Sequence, residues 1–414
     1  MDPRQTASHC DNSAAARVAR LLLVAVGALV MAGCAATNDD ASKTDGEPRK
    51  TATERPAPST SDAPTDDADP APDPAADLPL ETLVGELVMT KLVGPTANAE
   101  ELQAISRLQV GGIILFGPSV VDEPQLQTLL GSLRTARASA ATRAGLPAGL
   151  LVSVDQEGGS IRNVPFAPPE YTQPRLTDTG DVALATSEAL ATGRALHELG
   201  ITMDLGPVAD LVQPPNRTMI GRSFGPDPKS VARFITATVR GLEQGGVAAT
   251  AKHFPGFGAS TANSDEDVAH VDRSLADLRR EELVPFRAAI AAGTSAIMVS
   301  HGIHRELGST LPGTLDPKIA TKLLREELGF TGVAITDSMN AKGLREAWGD
   351  TVPRACPVAI AAGIDLMLLT GTIETARLCR ERILEAVRTG ELSEARVREA
   401  ARRVIELRTR TAGA

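Results

Sequence analysis

The chain has 414 residues and a formal net charge of −10 at pH 7. Most of this negative charge lies in residues 35–77, where eleven acidic and four basic side chains leave a net charge of −7. The rest of the chain therefore carries little net charge, which argues against a nucleic-acid partner. That remainder is also long for one domain unless it forms an α/β barrel.

The first 33 residues have the pattern of an export signal. Two arginines precede the apolar run Leu21–Met31, which is too short to span a bilayer. The next three residues, Ala-Gly-Cys34, resemble a bacterial lipobox in which Cys34 becomes the lipidated first residue. We therefore predict an exported protein that is lipid-anchored at Cys34 to the outer face of the cell membrane. An ordinary secretory signal followed by a chance cysteine is the alternative.

The segment after Cys34 is rich in Ala, Pro, Asp, Thr and Ser and contains seven prolines. Such a composition cannot bury an apolar core, so we predict a disordered, extended spacer. It would hold a folded domain away from a membrane surface. The predicted organisation is a signal peptide over residues 1–33, a lipidated Cys and linker over 34–77, and one folded domain over 78–411.

From residue 78 onward, short apolar runs alternate with amphipathic helical patterns. This alternation predicts a parallel α/β sheet, and eight such units predict a closed (β/α)₈ barrel of the TIM type. An open doubly wound sheet, in one lobe or two, is the alternative. The predicted strands are Leu87–Leu92, Gly112–Phe116, Leu150–Val154, Thr202–Leu205, Val247–Lys252, Ala296–Ser300, Gly332–Thr336 and Asp365–Leu369. The predicted helices are Ala97–Leu108, Pro124–Ala140, Val182–Leu199, Ser230–Gln244, Asp277–Ala291, Pro317–Glu327, Pro353–Ala361, Ile373–Arg388 and Ser393–Leu407.

Polar side chains follow five of these strands at their carboxyl ends. Catalytic groups of a (β/α)₈ barrel lie at these ends, so a set from five strands predicts one shared site. A single Asp there is equally explained as a helix N-cap, and Asp210 is the residue for which this simpler explanation fits best. In chain order the residues are Asp155, Asp204, Asp210, Lys252, His253, His301 and Asp337.

Carboxylates together with one Lys, one His and one Arg, and without a cofactor fingerprint, suit sugar chemistry. Glycoside cleavage needs two groups beside the bond, one acting as nucleophile or base and the other as proton donor. Metal catalysis is disfavoured because the six histidines form no His-x-His or His-Glu-x-x-His pair. No Gly-x-Ser-x-Gly or Walker motif stands out either. We therefore expect neither a metal nor a cofactor.

Five segments of the folded part carry a specific signature. They are GGIILFG (Gly111–Gly117), VDQEGGSIR (Val154–Arg162), the stretch around IGRSFG (Ile220–Gly225), AKHFPGFG (Ala251–Gly258) and ELGFTGVAITDSM (Glu327–Met339). In this order they resemble the catalytic barrel of glycoside hydrolase family 3. The most similar branch is the bacterial single-barrel β-N-acetylglucosaminidases that act on peptidoglycan fragments.

The resemblance implies a retaining β-N-acetylhexosaminidase without metal or cofactor, acting on N-acetylglucosamine-containing cell-wall sugars. Asp337 matches the nucleophile that forms a covalent glycosyl-enzyme. Asp155 matches the aspartate that binds sugar hydroxyls in the inner subsite. Arg222, Lys252 and His253 match further substrate-binding positions. Nothing demands an oligomer, and we expect a monomer.

The loop after the fifth strand departs from the family pattern. Family members have Asp-Ser-His there as the acid/base, whereas this chain has Asn263-Ser264-Asp265, and Phe257 replaces a second His of the family. Three interpretations stay open. Asp265 acts as a carboxylic acid/base, His270 moves in on the long loop, or the protein is catalytically weak or inactive and binds muropeptides or sugars.

Two other features also have alternative interpretations. The family's Arg after the DQEGG motif is usually one residue later, where this chain has Asn163, so Arg162 is a substrate-binding candidate that stands one residue before the family position. Cys356 and Cys379 both fall in predicted helices. A disulfide between them is possible outside the cell, but we favour two packed thiols.

A third functional class shares the lipobox and the acidic linker, namely a solute-binding lipoprotein of a transporter. Such proteins have two lobes and a hinge. Eight strand–helix units and the motif around Asp337 fit that architecture poorly. A single barrel with Asp155 and Asp337 facing one pocket would exclude it.

Overall fold

We describe the fold from a computed structural model. The structure describes residues 73–214, 216, 218–349 and 351–412. The predicted signal peptide, the lipidation site Cys34 and most of the predicted linker lie outside these residues. Across the part of the chain that is described, no helix is both long enough and apolar enough to cross a membrane.

Within the described residues, eight parallel strands form one sheet in chain order, and the last strand pairs with the first. A parallel bridge between Ile335 and Leu366 joins the seventh strand to the residues before the eighth and closes the barrel. The predicted (β/α)₈ barrel is confirmed, and the open, two-lobed alternative is wrong. The strands are β1 Val88–Lys91, β2 Gly112–Leu115, β3 Leu151–Val154, β4 Met203–Asp204, β5 Ala248–Phe254, β6 Ala296–Val299, β7 Val333–Thr336 and β8 Met367–Leu369.

Helices surround the barrel, and their starts follow ordinary capping chemistry. The longest begins after Asp122, whose carboxylate accepts a hydrogen bond from the Gln125 N–H at 2.9 Å. The α-helices are α1 Leu80–Glu86, α2 Ala99–Ser106, α3 Glu123–Arg143, α4 Gln173–Thr179, α5 Val182–Leu199, α6 Pro228–Gln244, α7 Leu275–Arg280, α8 Leu283–Ala291, α9 Lys342–Trp348, α10 Val352–Ala362, α11 Ile373–Arg388 and α12 Glu394–Ala412. A π-helix spans Lys318–Glu327, and 3₁₀ turns span Gly117–Ser119, Arg305–Leu307 and Gly313–Leu315.

One predicted helix is broken in two, and a proline explains the break. The prediction ran from 277 to 291, but α7 ends at Arg280 and α8 begins at Leu283. Pro285 lacks the N–H that would donate to the Glu281 carbonyl in a continuous helix. The prediction also missed α1, α4, α9 and a short hairpin of Gln156–Gly158 with Ile161–Arg162.

The amino-terminal end of the barrel is closed by buried ion pairs. Glu86 lies between Arg137, at 2.7 Å, and Arg408, and all three side chains are fully buried. Burial lowers the pKa of Arg408 to about 10, against the opposing pull of Glu86. Arg408 also donates to the Gly111 carbonyl at 2.9 Å. These charges join α1, α3 and α12 beneath the barrel, on the side away from the predicted site.

Cys356 of α10 and Cys379 of α11 form a disulfide, with their Cα atoms 5.9 Å apart. The expectation of two packed thiols is therefore wrong. Both residues are fully buried where the two helices pack together. The helical pattern of each segment showed only that each cysteine faces the core, and not that the two faces meet.

Candidate active site

The carboxyl ends of the strands open onto a cavity of about 330 Å³. This is near the lower end of small-molecule sites and suits about one sugar ring. Residues from the ends of seven strands and the loops after them line it. The charged or imidazole side chains in the lining are Asp155, Glu157, Arg222, Lys252, His253, Asp265 and Asp337.

A neutral cluster of two cations and two carboxylates forms one wall of the cavity. Lys252 Nζ lies 2.6 Å from Asp155 Oδ1 and 2.7 Å from Glu157 Oε1. Arg222 binds both oxygens of Glu157, at 2.8 and 2.7 Å. Burial alone would raise the pKa of Glu157, but Lys252 and Arg222 outweigh it and lower that pKa to about 2. Glu157 is therefore ionised at neutral pH, and the cluster presents fixed hydrogen-bonding groups to a ligand.

His253 is oriented by a buried carboxylate. Its Nδ1 lies 2.6 Å from Asp210 Oδ2, and because a carboxylate only accepts, Nδ1 is the donor. Asp210 also accepts the backbone N–H groups of His253, at 3.2 Å, and of Phe257, at 2.6 Å. The interpretation of Asp210 as a helix N-cap is wrong, since its partners are the imidazole and the loop after β5. The arrangement leaves Nε2 of His253 for a ligand in the cavity.

Asp337 follows β7 directly and lines the cavity. Its Oδ1 accepts the Ser338 N–H at 2.7 Å. Burial alone would raise the pKa of Asp337, but the nearby imidazoles of His253 and His301 and the Ser338 N–H hold it below its ordinary value. His301 stabilises this turn, because its Nε2 lies 2.8 Å from the Ser338 carbonyl. Asp337 is therefore ionised at neutral pH, as a nucleophile requires.

Asp265 lies on the loop that follows β5 and lines the same cavity as Asp337. Its side chain reaches solvent and also contributes to the cavity lining. The pKa of Asp265 is raised, first because the surrounding protein displaces part of its water and second because the charge of Asp337 is nearby. Two carboxyl groups in one cavity thus have pKa values displaced in opposite directions.

Residues 79–407 match the Glycosyl hydrolase family 3 N terminal domain. The chain belongs to glycosyl hydrolase family 3. A β-hexosaminidase from Stenotrophomonas maltophilia strain K279a is 33% identical over an alignment of 292 residues, and the match covers 68% of this chain and 83% of that protein.

Solved structures of the family agree with this assignment. A glycoside hydrolase family 3 β-N-acetylglucosaminidase from Paenibacillus sp. FPU-7 is 34% identical with a TM-score of 0.76, and the match covers 81% of this chain and 63% of that one. A β-N-acetylhexosaminidase from Beutenbergia cavernae is 30% identical with a TM-score of 0.72, over 80% of this chain and 98% of that one. The match with the Beutenbergia enzyme spans nearly the whole length of that enzyme.

Two residues predicted for the site of this family 3 protein lie elsewhere. Among the described residues, the cavity lining does not include His270. Its main chain pairs with Ile303 and its N–H donates to Thr261 Oγ1 at 3.1 Å. The structure therefore gives His270 a place at the neck of the loop, and bringing its ring to the cavity would require breaking these contacts.

Arg162 is also outside the described lining of the cavity. Its Nε donates to the Ala167 carbonyl at 2.8 Å, and its Nη2 lies 3.4 Å from Glu170 Oε1. Asn163, which stands at the family's usual Arg position, instead donates to the Asp155 carbonyl and accepts the Gly117 N–H, both at 3.2 Å. Asn163 thus fixes the hairpin after β3, and the guanidinium of Arg162 is directed outward.

Sequence reasoning missed the role of Glu157 and the raised pKa of Asp204. Glu157 was inside the DQEGG motif but was not singled out, although a carboxylate at a buried strand end signals a paired cation. Asp204 accepts the Gln156 N–H at 3.1 Å and is fully buried, and burial raises its pKa to about 7. It was placed correctly at a strand end, but its protonated state depends on burial that no local pattern reveals.

Proposed function

We propose that this family 3 protein is a retaining β-N-acetylhexosaminidase that removes terminal N-acetylglucosamine. The observation that carries the proposal is the pair Asp337 and Asp265, which line one cavity with pKa values displaced in opposite directions. Environments that separate the pKa values of two carboxyl groups assign the acid and the base of a reaction. The ionised group serves as nucleophile and the group with the raised pKa as proton donor.

The reaction has two steps. In the first, a carboxylate oxygen of Asp337 bonds to the anomeric carbon while the bond to the leaving oxygen breaks, and Asp265 gives its proton to that oxygen. In the second, Asp265 takes a proton from water, the water oxygen bonds to the anomeric carbon, and the bond to Asp337 breaks. The sugar leaves with its original configuration.

The cluster of Asp155, Lys252 and Arg222, together with His253, would bind the hydroxyls of the inner sugar. Its groups are held by contacts of 2.6 to 2.8 Å, so little conformational entropy is lost when a sugar binds. The names of the Stenotrophomonas and Paenibacillus relatives support an N-acetylhexosamine as that sugar. Cell-wall fragments are the proposed source, in keeping with a protein directed outside the cell.

Export and lipidation at Cys34 form part of the same proposal. The proposal is based on the first 34 residues, in which two arginines and an apolar run precede Ala-Gly-Cys34. The disulfide of Cys356 with Cys379 supports it, because such bonds persist in oxidising compartments. We propose a monomer held by its lipid at the outer face of the membrane, with the linker as a spacer.

A second candidate function is binding of muropeptides or sugars without efficient hydrolysis. It is favoured by the sequence Asn263-Ser264-Asp265, which leaves the family's imidazole out of its acid/base position. Losing a general acid lowers rates by about 10²- to 10⁴-fold. The solute-binding hypothesis is excluded in its two-lobed form, since Asp155 and Asp337 line one cavity of a closed barrel.

The test is release of 4-nitrophenol from the β-N-acetylglucosaminide and from the β-glucoside. Asp337→Ala should abolish turnover, Asp265→Ala should cripple it, and His270→Ala should retain most of it. Asp267→Ala is the matched control, a carboxylate on the same loop that is outside the described cavity lining. Wild-type turnover no greater than that of Asp337→Ala, with sugar binding intact, would refute hydrolysis and favour the binding protein.

A further inference from the structure

The loop that carries Asp265 has its tip on the first residues of α9. This segment, which we call the acid loop, runs from 255 to 271. Its tip forms a turn in which the Asn263 carbonyl accepts the N–H groups of Glu266 and Asp267, both at 3.0 Å. Its neck is closed by Thr261, whose N–H donates to the His270 carbonyl at 3.0 Å.

Two residues of α9 bind three successive carbonyls of the tip. The Gly343 N–H donates to Ser264 at 2.9 Å and the Lys342 N–H to Asp265 at 3.4 Å. The Lys342 ammonium donates to the Glu266 carbonyl at 2.9 Å. The N–H groups in the first turn of a helix have no partner within the helix, so the acid loop satisfies donors that α9 leaves open.

Gly343 permits a contact that no other residue would. A Cβ atom built there would lie 2.0 Å from the Asp267 carbonyl oxygen and 2.7 Å from that of Ser264. Both are backbone atoms, so the clash cannot be relieved by rotating a side chain. Any larger residue at 343 must push the tip of the acid loop away from α9.

The same two residues are close to Asp337 along the chain. Lys342 is five positions after Asp337, and the intervening turn is held where the Met339 N–H donates to the Leu368 carbonyl of β8 at 2.9 Å. A displacement of the tip relative to α9 is therefore also a displacement of Asp265 relative to Asp337.

We propose that Lys342 and Gly343 are positioning residues that hold Asp265 at proton-transfer distance from the leaving oxygen. This inference rests on the proposed function, because it concerns the proton donor of that reaction. Neither residue needs to touch the sugar. In kcat/KM, which ends at departure of the leaving group, the predicted defect is confined to protonation of that group.

The test compares two substrates of the full-length protein by kcat/KM, which reports the steps up to departure of the leaving group. The 2,4-dinitrophenyl β-N-acetylglucosaminide needs no proton to depart, whereas N,N′-diacetylchitobiose does. Gly343→Ala should lower kcat/KM for diacetylchitobiose by about 10²-fold and for the dinitrophenyl glycoside by less than about 3-fold. Lys342→Gln should also lower kcat/KM for diacetylchitobiose more than for the dinitrophenyl glycoside, but both losses should be smaller than those of Gly343→Ala.

Two matched controls accompany these variants. Gly131→Ala adds a methyl group where no heavy atom lies within 4 Å apart from its chain neighbours and the backbone of its own helix, and Glu346→Gln removes the ion-pair partner that lies 3.0 Å from Lys342. Both should leave the two kcat/KM values unchanged. If Gly343→Ala does not fold, as judged by thermal unfolding, Lys342→Gln decides the question.

Three outcomes are distinguishable. A loss confined to diacetylchitobiose supports the positioning role. An equal loss on both substrates, or no loss on either, overturns that role while the hydrolase proposal stands, provided that dinitrophenyl turnover still depends on Asp337. Dinitrophenyl turnover that survives Asp337→Ala overturns the proposed function and the positioning role with it.

Discussion

Replacing Glu157 by Gln should destabilise the fold by about 3 kcal/mol at neutral pH. The pKa of Glu157 is about 2 against an ordinary 4.5, and each pKa unit corresponds to about 1.36 kcal/mol, so ionised Glu157 contributes about 3 kcal/mol. Gln has nearly the same shape but leaves the buried charge of Lys252 with only Asp155 as its partner and removes the bidentate partner of Arg222. Removing one partner of a buried pair typically costs about 3–5 kcal/mol.

The sign of the pH dependence follows from the lowered pKa. The stabilisation is complete above the unfolded pKa of about 4.5 and is lost as the pH falls through about 2. The difference between wild type and Glu157→Gln should therefore be full at pH 7 and about half as large at pH 3. A difference in unfolding free energy that does not change with pH would refute the electrostatic explanation.

The assay is urea unfolding followed by fluorescence of the only tryptophan, Trp348. Glu374→Gln is the control, because its partner Arg377 is exposed and such surface pairs contribute about 0–1 kcal/mol. A Glu157→Gln protein within about 0.5 kcal/mol of wild type at pH 7 would contradict the reasoning. Sugar binding should also weaken, since Lys252 and Arg222 lose the carboxylate that orients them.

Three further predictions follow from buried or cavity-lining groups. Burial raises the pKa of Asp204 to about 7, so the folded state favours its protonated form. The stabilisation from that form is complete below the unfolded pKa near 4 and is lost as the pH rises through 7. Asn is neutral at every pH, so Asp204→Asn should raise the melting temperature at pH 8 more than at pH 5. Cys356→Ser opens a disulfide between residues 23 apart and should cost about 3 kcal/mol in urea unfolding under oxidising conditions. Reductant should reduce the difference in unfolding free energy between wild type and Cys356→Ser. A variant as stable as the oxidised wild type would show that the disulfide does not stabilise the fold. Asp265→Ala should slow dinitrophenyl glycoside turnover at the second step, and azide should restore it as β-glycosyl azide; no azide effect would argue against Asp265 as the base.

The barrel could be predicted from the sequence because its strands are short apolar runs bounded by polar residues. All eight were found within a few residues of their true ends, including Ala296–Val299 and Val333–Thr336. Parallel strands bring their carboxyl ends to one edge, so the neighbourhood of Asp155, Lys252 and Asp337 also followed. Short elements such as α4 have too few turns to show helical periodicity.

The remaining details depend on contacts between distant segments. Arg162 is directed outward by the Ala167 carbonyl, and His270 is held away from the cavity by Thr261 and Ile303. These contacts are made by loop paths that no periodic pattern specifies. Asp210 was easily mistaken for a helix cap for the same reason, since its partner His253 lies 43 residues away.

The most direct test of the account is to trap the glycosyl-enzyme. The protein is incubated with a 5-fluoro glycosyl fluoride of the N-acetylglucosamine series, whose ring fluorine slows the second step more than the first. Peptides are then analysed by mass spectrometry. The account predicts one sugar attached to the peptide that contains Asp337, and none in Asp337→Ala. A stable label on any other residue, or a hydrolysis product of inverted configuration, would contradict it.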